Sequence, residues 1–218
     1  LYRDDHLSIG GHDQTFAPYG YEDSDIFNRW ILNGYKMVQS RDALVYHLTC
    51  RGHRWNKGVG IENSDYKVTM NRCMRDFIRK WGDWIHNDEY QMPIINPKYN
   101  VAFRIHNCTD FLLETLEPWC GRMYSNIDYT SYINKEQPNT VCKLSDKLNP
   151  LQAELYDDFE GVVVAIDGNN LTQQDFQIIQ QLPAILQDSG AIGEFTLGNL
   201  KINIKDLTTY ENELIICE

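Results

Sequence analysis

The stretch IGGHDQTFAPYGYEDSDIFNRWILNGYKMVQSRDALVYHLTCR, Ile9–Arg51, opens on a glycine pair and passes an aromatic-rich turn into the acidic run Glu22-Asp23-Ser24-Asp25. Behind the acids, Ile26, Phe27, Trp30 and Ile31 recur at helical spacing, Asp25 and Arg29 form an i,i+4 pair, and Gly34 supplies a stop. The pattern predicts a short amphipathic helix. Its acids fall at the positive end of the helix dipole, which favours their charged form, and a carboxylate kept ionised there is suited to act as a base. Tyr35–Gln39 and Ala43–Leu48 read as short strands around the turn Ser40-Arg41-Asp42, placing His47 at a strand end.

Upstream, residues 1–20 mix Gly, Asp, His and aromatics without periodicity, as in an ordered functional loop. Downstream, Cys50–Ser64 is a Gly-rich, basic loop holding Trp55, with the composition of a lid. The clearest long helix runs from Asp65 to about His86, where Tyr66, Met70, Cys73, Met74, Phe77, Ile78, Trp81 and Ile85 form an apolar stripe and Arg72, Arg75, Arg79 and Lys80 take the other faces. Pro93 and Pro97 then bracket a linker, so two domains are expected, 1–92 and 93–218.

In the second half, Val101–Ile105 reads as a strand and Thr109 caps a helix running towards Trp119. Tyr124–Pro150 is polar and irregular. Val162–Ile166 is continuously apolar, as in a strand buried on both faces, and ends at Asp167-Gly168-Asn169. Thr172 and Asp175 make a capping-box start for a helix interrupted at Pro183 and stopped at Gly190. Ala191–Leu197 and Leu200–Ile204, joined by Gly198-Asn199, read as a hairpin, and Leu214–Cys217 as an added edge strand. The fold class is α/β to α+β, with a β-α-β-α-β-β module as its second part.

Composition narrows the function. With 218 residues, 42% of them hydrophobic, the chain can bury a sizeable core; 20 Lys+Arg against 31 Asp+Glu leave a net charge of -11, which argues against nucleic acid as a partner. No apolar run reaches the roughly 20 residues of a membrane span, and no basic-then-apolar leader opens the sequence. Six widely spaced cysteines read as reduced thiols in a cytoplasmic setting.

The ordered set IGGHDQTF, YGYED-D, a helix carrying Arg29 and Gly34, then V-Y-H resembles the C-terminal half of the catalytic domain of GT-A-fold glycosyltransferases, including family-2 enzymes and beta-galactosyltransferases. It covers roughly a quarter of the chain. The resemblance implies Asp23 as general base, Glu22 on the acceptor, and His47 as ligand of a divalent metal, Mn or Mg. Gly10 and Gly11 would admit donor and acceptor to the backbone; Asp13, Tyr19, Asp25, Arg51 and Trp55 would complete the substrate-binding set. Partners are then a nucleotide-sugar donor and a hydroxyl acceptor.

Family members bind the nucleotide through an N-terminal half with an Asp-x-Asp motif after a strand. None precedes Leu1, so an N-terminally truncated fragment is expected. Asp23-Ser24-Asp25 has the motif's spacing but lies at a helix start, and Asp167-x-Asn169 follows an apolar strand but requires a permuted fold to serve. His47-x-x-Cys50-x-x-His53 offers zinc-type ligands without an evident fourth. His106 and Cys108, beside Asn107, also follow a strand. Two functions stand: a metal-dependent glycosyltransferase, or a non-catalytic interaction protein retaining a glycosyltransferase-like scaffold.

Overall fold

Val162-Val163-Val164-Ala165-Ile166 combines β-branched residues with no polar alternation, so neither face of this segment can be left in water. The computed structural model, which describes residues 2–46, 54–55, 61, 63–152 and 158–216, places it at the heart of a six-stranded sheet. The chain is an α/β protein. Its first part comprises α1 (Arg3–Ser8), α2 (Glu22–Leu32) and α3 (Ser64–Trp81), followed by a small hairpin of β1 (His86–Asn87) and β2 (Pro93–Ile94). Its second part runs β3 (Val101–His106), α4 (Asp110–Leu116), β4 (Arg122–Ser125), α5 (Thr130–Glu136), α6 (Leu144–Lys147), β5 (Leu148–Pro150), β6 (Val162–Asp167), α7 (Gln173–Gln180), α8 (Leu182–Ser189), β7 (Gly193–Leu197) and β8 (Leu200–Ile204).

The strand order is β5-β4-β3-β6-β8-β7. Strands β5, β4, β3 and β6 are parallel, and the β7–β8 hairpin joins β6 antiparallel. The chain therefore steps outward from β3 through β4 to β5, then returns to the other side of β3 as β6. Phe103, Met123, Val164 and Ile202 share one face and pack under the helices with Leu113, Leu116, Ile179 and Leu186; Ala102, Tyr124 and Val163 on the other meet Phe159.

Several elements form as their sequence dictates. Thr109 caps α4 and the Thr172–Asp175 box opens α7; Pro183 separates α7 from α8, and Gly190 closes α8 in the left-handed region. Others differ. α3 ends at Trp81 rather than near His86, because Gly82 turns left-handed (φ 73°) and caps it. Among the described residues 35–46 no strand forms, and Val38, Leu44, Val45 and Tyr46 are 78–95% exposed, with no neighbouring strand to complete a ladder. The stretch Tyr124–Pro150, expected to be irregular, holds α5, α6 and β5, whose short spans carry buried polar residues that hide their periodicity. The C-terminal edge strand is instead a 3-10 turn, Glu211–Leu214, with Cys217 outside the described residues. Among those residues no helix is long and apolar enough to cross a membrane, and Cys73, Cys108, Cys120 and Cys142 are free thiols.

Charge joins α3 to the sheet. Arg79, 4% exposed, pairs with Asp76 (2.8 Å), Glu117 (2.6 Å) and Glu136 (2.8 Å); Lys147 reaches Glu117 (2.6 Å) and Arg75 reaches Glu136 (2.7 Å). Burial alone would raise the Glu117 pKa, but Lys147 and Arg79 outweigh it and hold the carboxyl down to about 2. A carboxyl depressed on folding contributes stability that is present above its unfolded pKa and lost as pH falls through the folded value. Arg79→Met leaves Glu117 and Glu136 short of a cation and should cost about 3–5 kcal/mol. Urea unfolding should also find that Glu117→Gln flattens the loss of stability between pH ~4.5 and ~2.

Candidate functional site

The N-terminal segment is tied together by a buried ionic knot. Ile9 is buried, and Gly10 (φ 83°) and Gly11 (φ 71°) turn the chain through the left-handed region, which glycine enters without steric cost. Arg29, fully enclosed on α2, donates to the carbonyls of Ile9 (2.7 Å) and Gly11 (2.5 Å) and to Asp25 (2.8 Å). Asp25 also accepts from Trp81 Nε1 (3.0 Å) and faces Lys80 Nζ (2.6 Å), whose ammonium also binds Asp13 (2.8 Å). Two carboxylates thus face two cations. Burial raises the Asp13 pKa, but the Lys80 bond, aided by Thr15, brings it down to about 2, while the two aspartates raise that of Lys80 against its own desolvation.

The entry to α2 is equally constrained. Gly20 (φ 107°) lies so close to Met70 that a Cβ would stand 2.7 Å from its sulfur, and Tyr21 is itself left-handed (φ 72°). Glu22 folds back to accept the Gly20 N–H (2.5 Å), while Asp23, one residue on, is exposed. Tyr19 stacks on Tyr66 at 5.6 Å, and Tyr21 meets Phe77 and the edge of Trp84.

The sequence-derived set therefore divides. Gly10, Gly11, Asp13 and Asp25 come together around Arg29 and Lys80, and Tyr19, Glu22 and Asp23 lie beside them along the turn into α2. Asp25 has no exposed surface, and its oxygens, shared among Arg29, Lys80 and Trp81, hold the loop. Trp55 is half-buried under the Arg54 guanidinium, 4.9 Å from its ring. His47 and Arg51 lie outside the described residues, as do Cys50 and His53 of the zinc-type pattern. Among the described residues, no group of three His, Cys, Asp or Glu side chains is placed to hold a metal ion.

Sequence reasoning missed Lys80 and Trp81 as supports of this loop. Their signal was the polar-then-aromatic step at the end of the α3 stripe, which sends adjacent side chains about 100° apart to different neighbours.

A second cluster sits at the carboxyl ends of β3 and β6, where strand order reverses. Asp167 accepts from Asn107 Nδ2 (2.9 Å), the Asn169 N–H (3.1 Å) and Asn170 Nδ2 (2.7 Å), and it lies opposite His106 in the register. These bonds, Asn107's foremost, lower its pKa. Gly168 is obligatory here: a Cβ would stand 2.3 Å from the Asn107 carbonyl oxygen. The structure so gathers His106, Asn107, Asp167 and Asn169, which the sequence shows only as two separate strand ends.

Residues 1–51 match the family model described as the N-terminal domain of galactosyltransferase. This segment is glycosyltransferase-like. No curated protein and no solved structure matches the chain.

Replacing Lys80 with Met removes the cation shared by Asp13 and Asp25. The Asp13 pKa should climb from about 2 towards ~4, and carboxyl-carbon NMR titration reads that shift directly. Stability at neutral pH should fall by about 1–3 kcal/mol in urea unfolding, because Asp25 keeps only part of its pairing.

Proposed function

We propose that the chain is part of a sugar-nucleotide-dependent glycosyltransferase and carries two separate half-sites: an acceptor side at Glu22 and Asp23, and a donor side at Asp167. The observation that carries the donor side is the strand order. In open α/β sheets, ligands bind outside the carboxyl ends of the strands where the order reverses, and here that point lies between β3 and β6 with Asp167 on its rim. The family match over residues 1–51 supports the acceptor side.

The half-sites are not two parts of one centre. The last turn of α3, which carries the acceptor loop through Lys80 and Trp81, shares a cavity with Val101 and Gly121 at the amino ends of β3 and β4. Asp167 stands at the opposite ends, a strand length of roughly 17 Å away. On this reading Asp23 does not serve a sugar held at Asp167, and the chain is the acceptor side of one transfer site followed by the donor side of another.

In the transfer itself, the acceptor hydroxyl gives its proton to Asp23 as its oxygen bonds to the anomeric carbon, and the bond from that carbon to the diphosphate breaks. Asp23 suits that role by its exposure; Glu22, anchored on the Gly20 N–H, would orient the acceptor. At the donor side, Asp167, held by the Asn107 and Asn170 side-chain amides and the Asn169 N–H, would be the carboxylate that holds a hard cation, the other ligands coming from phosphate and water. Such a cation would neutralise charge on the leaving diphosphate.

Titration with uridine and guanosine diphosphates plus Mn²⁺ or Mg²⁺ tests the reading. Saturable, metal-dependent binding should vanish in Asp167→Ala and persist in Asp23→Asn; the reverse pattern would move the nucleotide to the other end of the sheet. In turnover of a nucleotide-sugar, an unimpaired Asp23→Asn removes the base assignment. Absence of any nucleotide binding favours the second reading, a non-catalytic interaction protein, for which the exposed Val38, Leu44, Val45 and Tyr46 offer an apolar contact surface.

A further inference from the structure

Beyond the acidic pair, the loop after α3 and the far end of α7 enclose a cleft of about 430 Å³ lined by Trp84, His86, Gln177, Gln180 and Gln181. Its chemistry is unusual for a chain of net charge -11. Three primary amides and an indole line it, and the one ionisable group, His86, is already joined to Asp83 (3.2 Å). Asp83 is buried and also accepts from the Trp84 N–H (2.6 Å) and Asn96 Nδ2 (2.6 Å), so the backbone under the indole and the imidazole beside it are held in place. Among the described residues none of the three glutamine amides hydrogen-bonds to another side chain or to the backbone, which leaves their donors and acceptors facing the cleft.

We infer that this cleft is a binding subsite for a neutral saccharide, the acceptor chain of the transfer proposed above, on which the assignment to an acceptor rests. A pyranose ring presents an apolar C–H face, which an indole covers at little entropic cost, and a rim of hydroxyls that both donate and accept, as a primary amide does. The lining offers no free cation to an anionic ligand and no unpaired carboxylate to a cationic one. Position adds the link to chemistry: Trp84 is 37% exposed, and its ring lies 6.2 Å from that of Tyr21, edge to face, immediately before Glu22 and Asp23. A sugar resting on Trp84 is one aromatic ring from the acids.

The full chain is titrated with cellotetraose, N-acetylchitotetraose and lactose, following indole N–H signals by NMR and affinity by calorimetry. At least one should bind saturably and shift the Trp84 signal. Trp84→Ala and Gln180→Ala should each weaken that binding about tenfold or more, whereas Trp84→Phe, which keeps a ring to stack on, should retain most of it. Asp167→Ala should leave it unchanged. Lack of saturable binding by all three sugars, or binding indifferent to Trp84→Ala in a variant whose circular dichroism and melting match the parent, overturns the subsite. Saccharide binding in a chain that takes no nucleotide leaves the cleft standing and removes the transferase reading; nucleotide binding without saccharide does the reverse.

Discussion

Two adjacent side chains on α3, Arg79 and Lys80, hold the molecule's two parts in register. Their directions differ by about 100° on the helix, so one faces Glu117 and Glu136 of the sheet module while the other faces Asp13 and Asp25 of the N-terminal loop. Each is largely withdrawn from water. A buried ion pair recovers its desolvation cost only in good geometry, so unlike an apolar contact it does not tolerate sliding by a residue. The apolar stripe of α3 makes the helix bury itself, and these cations fix where along its neighbours it settles.

That registration has a functional consequence. It seats the end of α3 at the amino ends of β3 and β4, together with Asp13 and Asp25, which Lys80 and Trp81 hold there, while Asp167 lies at the carboxyl ends of β3 and β6. Parallel strands make the two ends chemically different. Loops at the carboxyl ends lead into the capped starts of α4 and α7 and carry the ionised Asp167, while the amino ends here carry a compact ionic and aromatic layer. Tyr21, Trp84 and the glutamines of α7 belong to that layer, which suits a neutral, hydroxyl-rich ligand better than a phosphate.

What could be read from the sequence follows from how local the deciding interaction is. The caps at Thr109 and Thr172, the break at Pro183, the apolar strand before Asp167 and the helix behind Glu22 are each set by residues within a turn of one another, and all are present. The surroundings of Asp25 were not legible, for the opposite reason. Its i,i+4 pairing with Arg29 is legible, but its burial depends on Lys80 and Trp81, more than fifty residues away. Strand order is equally non-local: Val101–Ile105 and Val162–Ile166 are each recognisable, yet only their adjacency with β4 on one side and β8 on the other creates the reversal that singles out Asp167. The spans between Tyr124 and Pro150 stayed hidden because Glu136 and Lys147 are buried by pairing, which inverts the usual polar-out pattern.

Electrostatics bears on the proposed donor side. The chain carries a net charge of -11, and the rim of the β3–β6 crevice adds the ionised Asp167, so a bare diphosphate approaching it meets repulsion from both. Three N–H donors already occupy the Asp167 oxygens and hold the carboxylate in its charged form, which strengthens that repulsion. Among the described residues, His106 is the basic side chain that acts on it. Under the proposed reading, phosphate would arrive with a divalent cation, which would turn the carboxylate from an obstacle into an anchor.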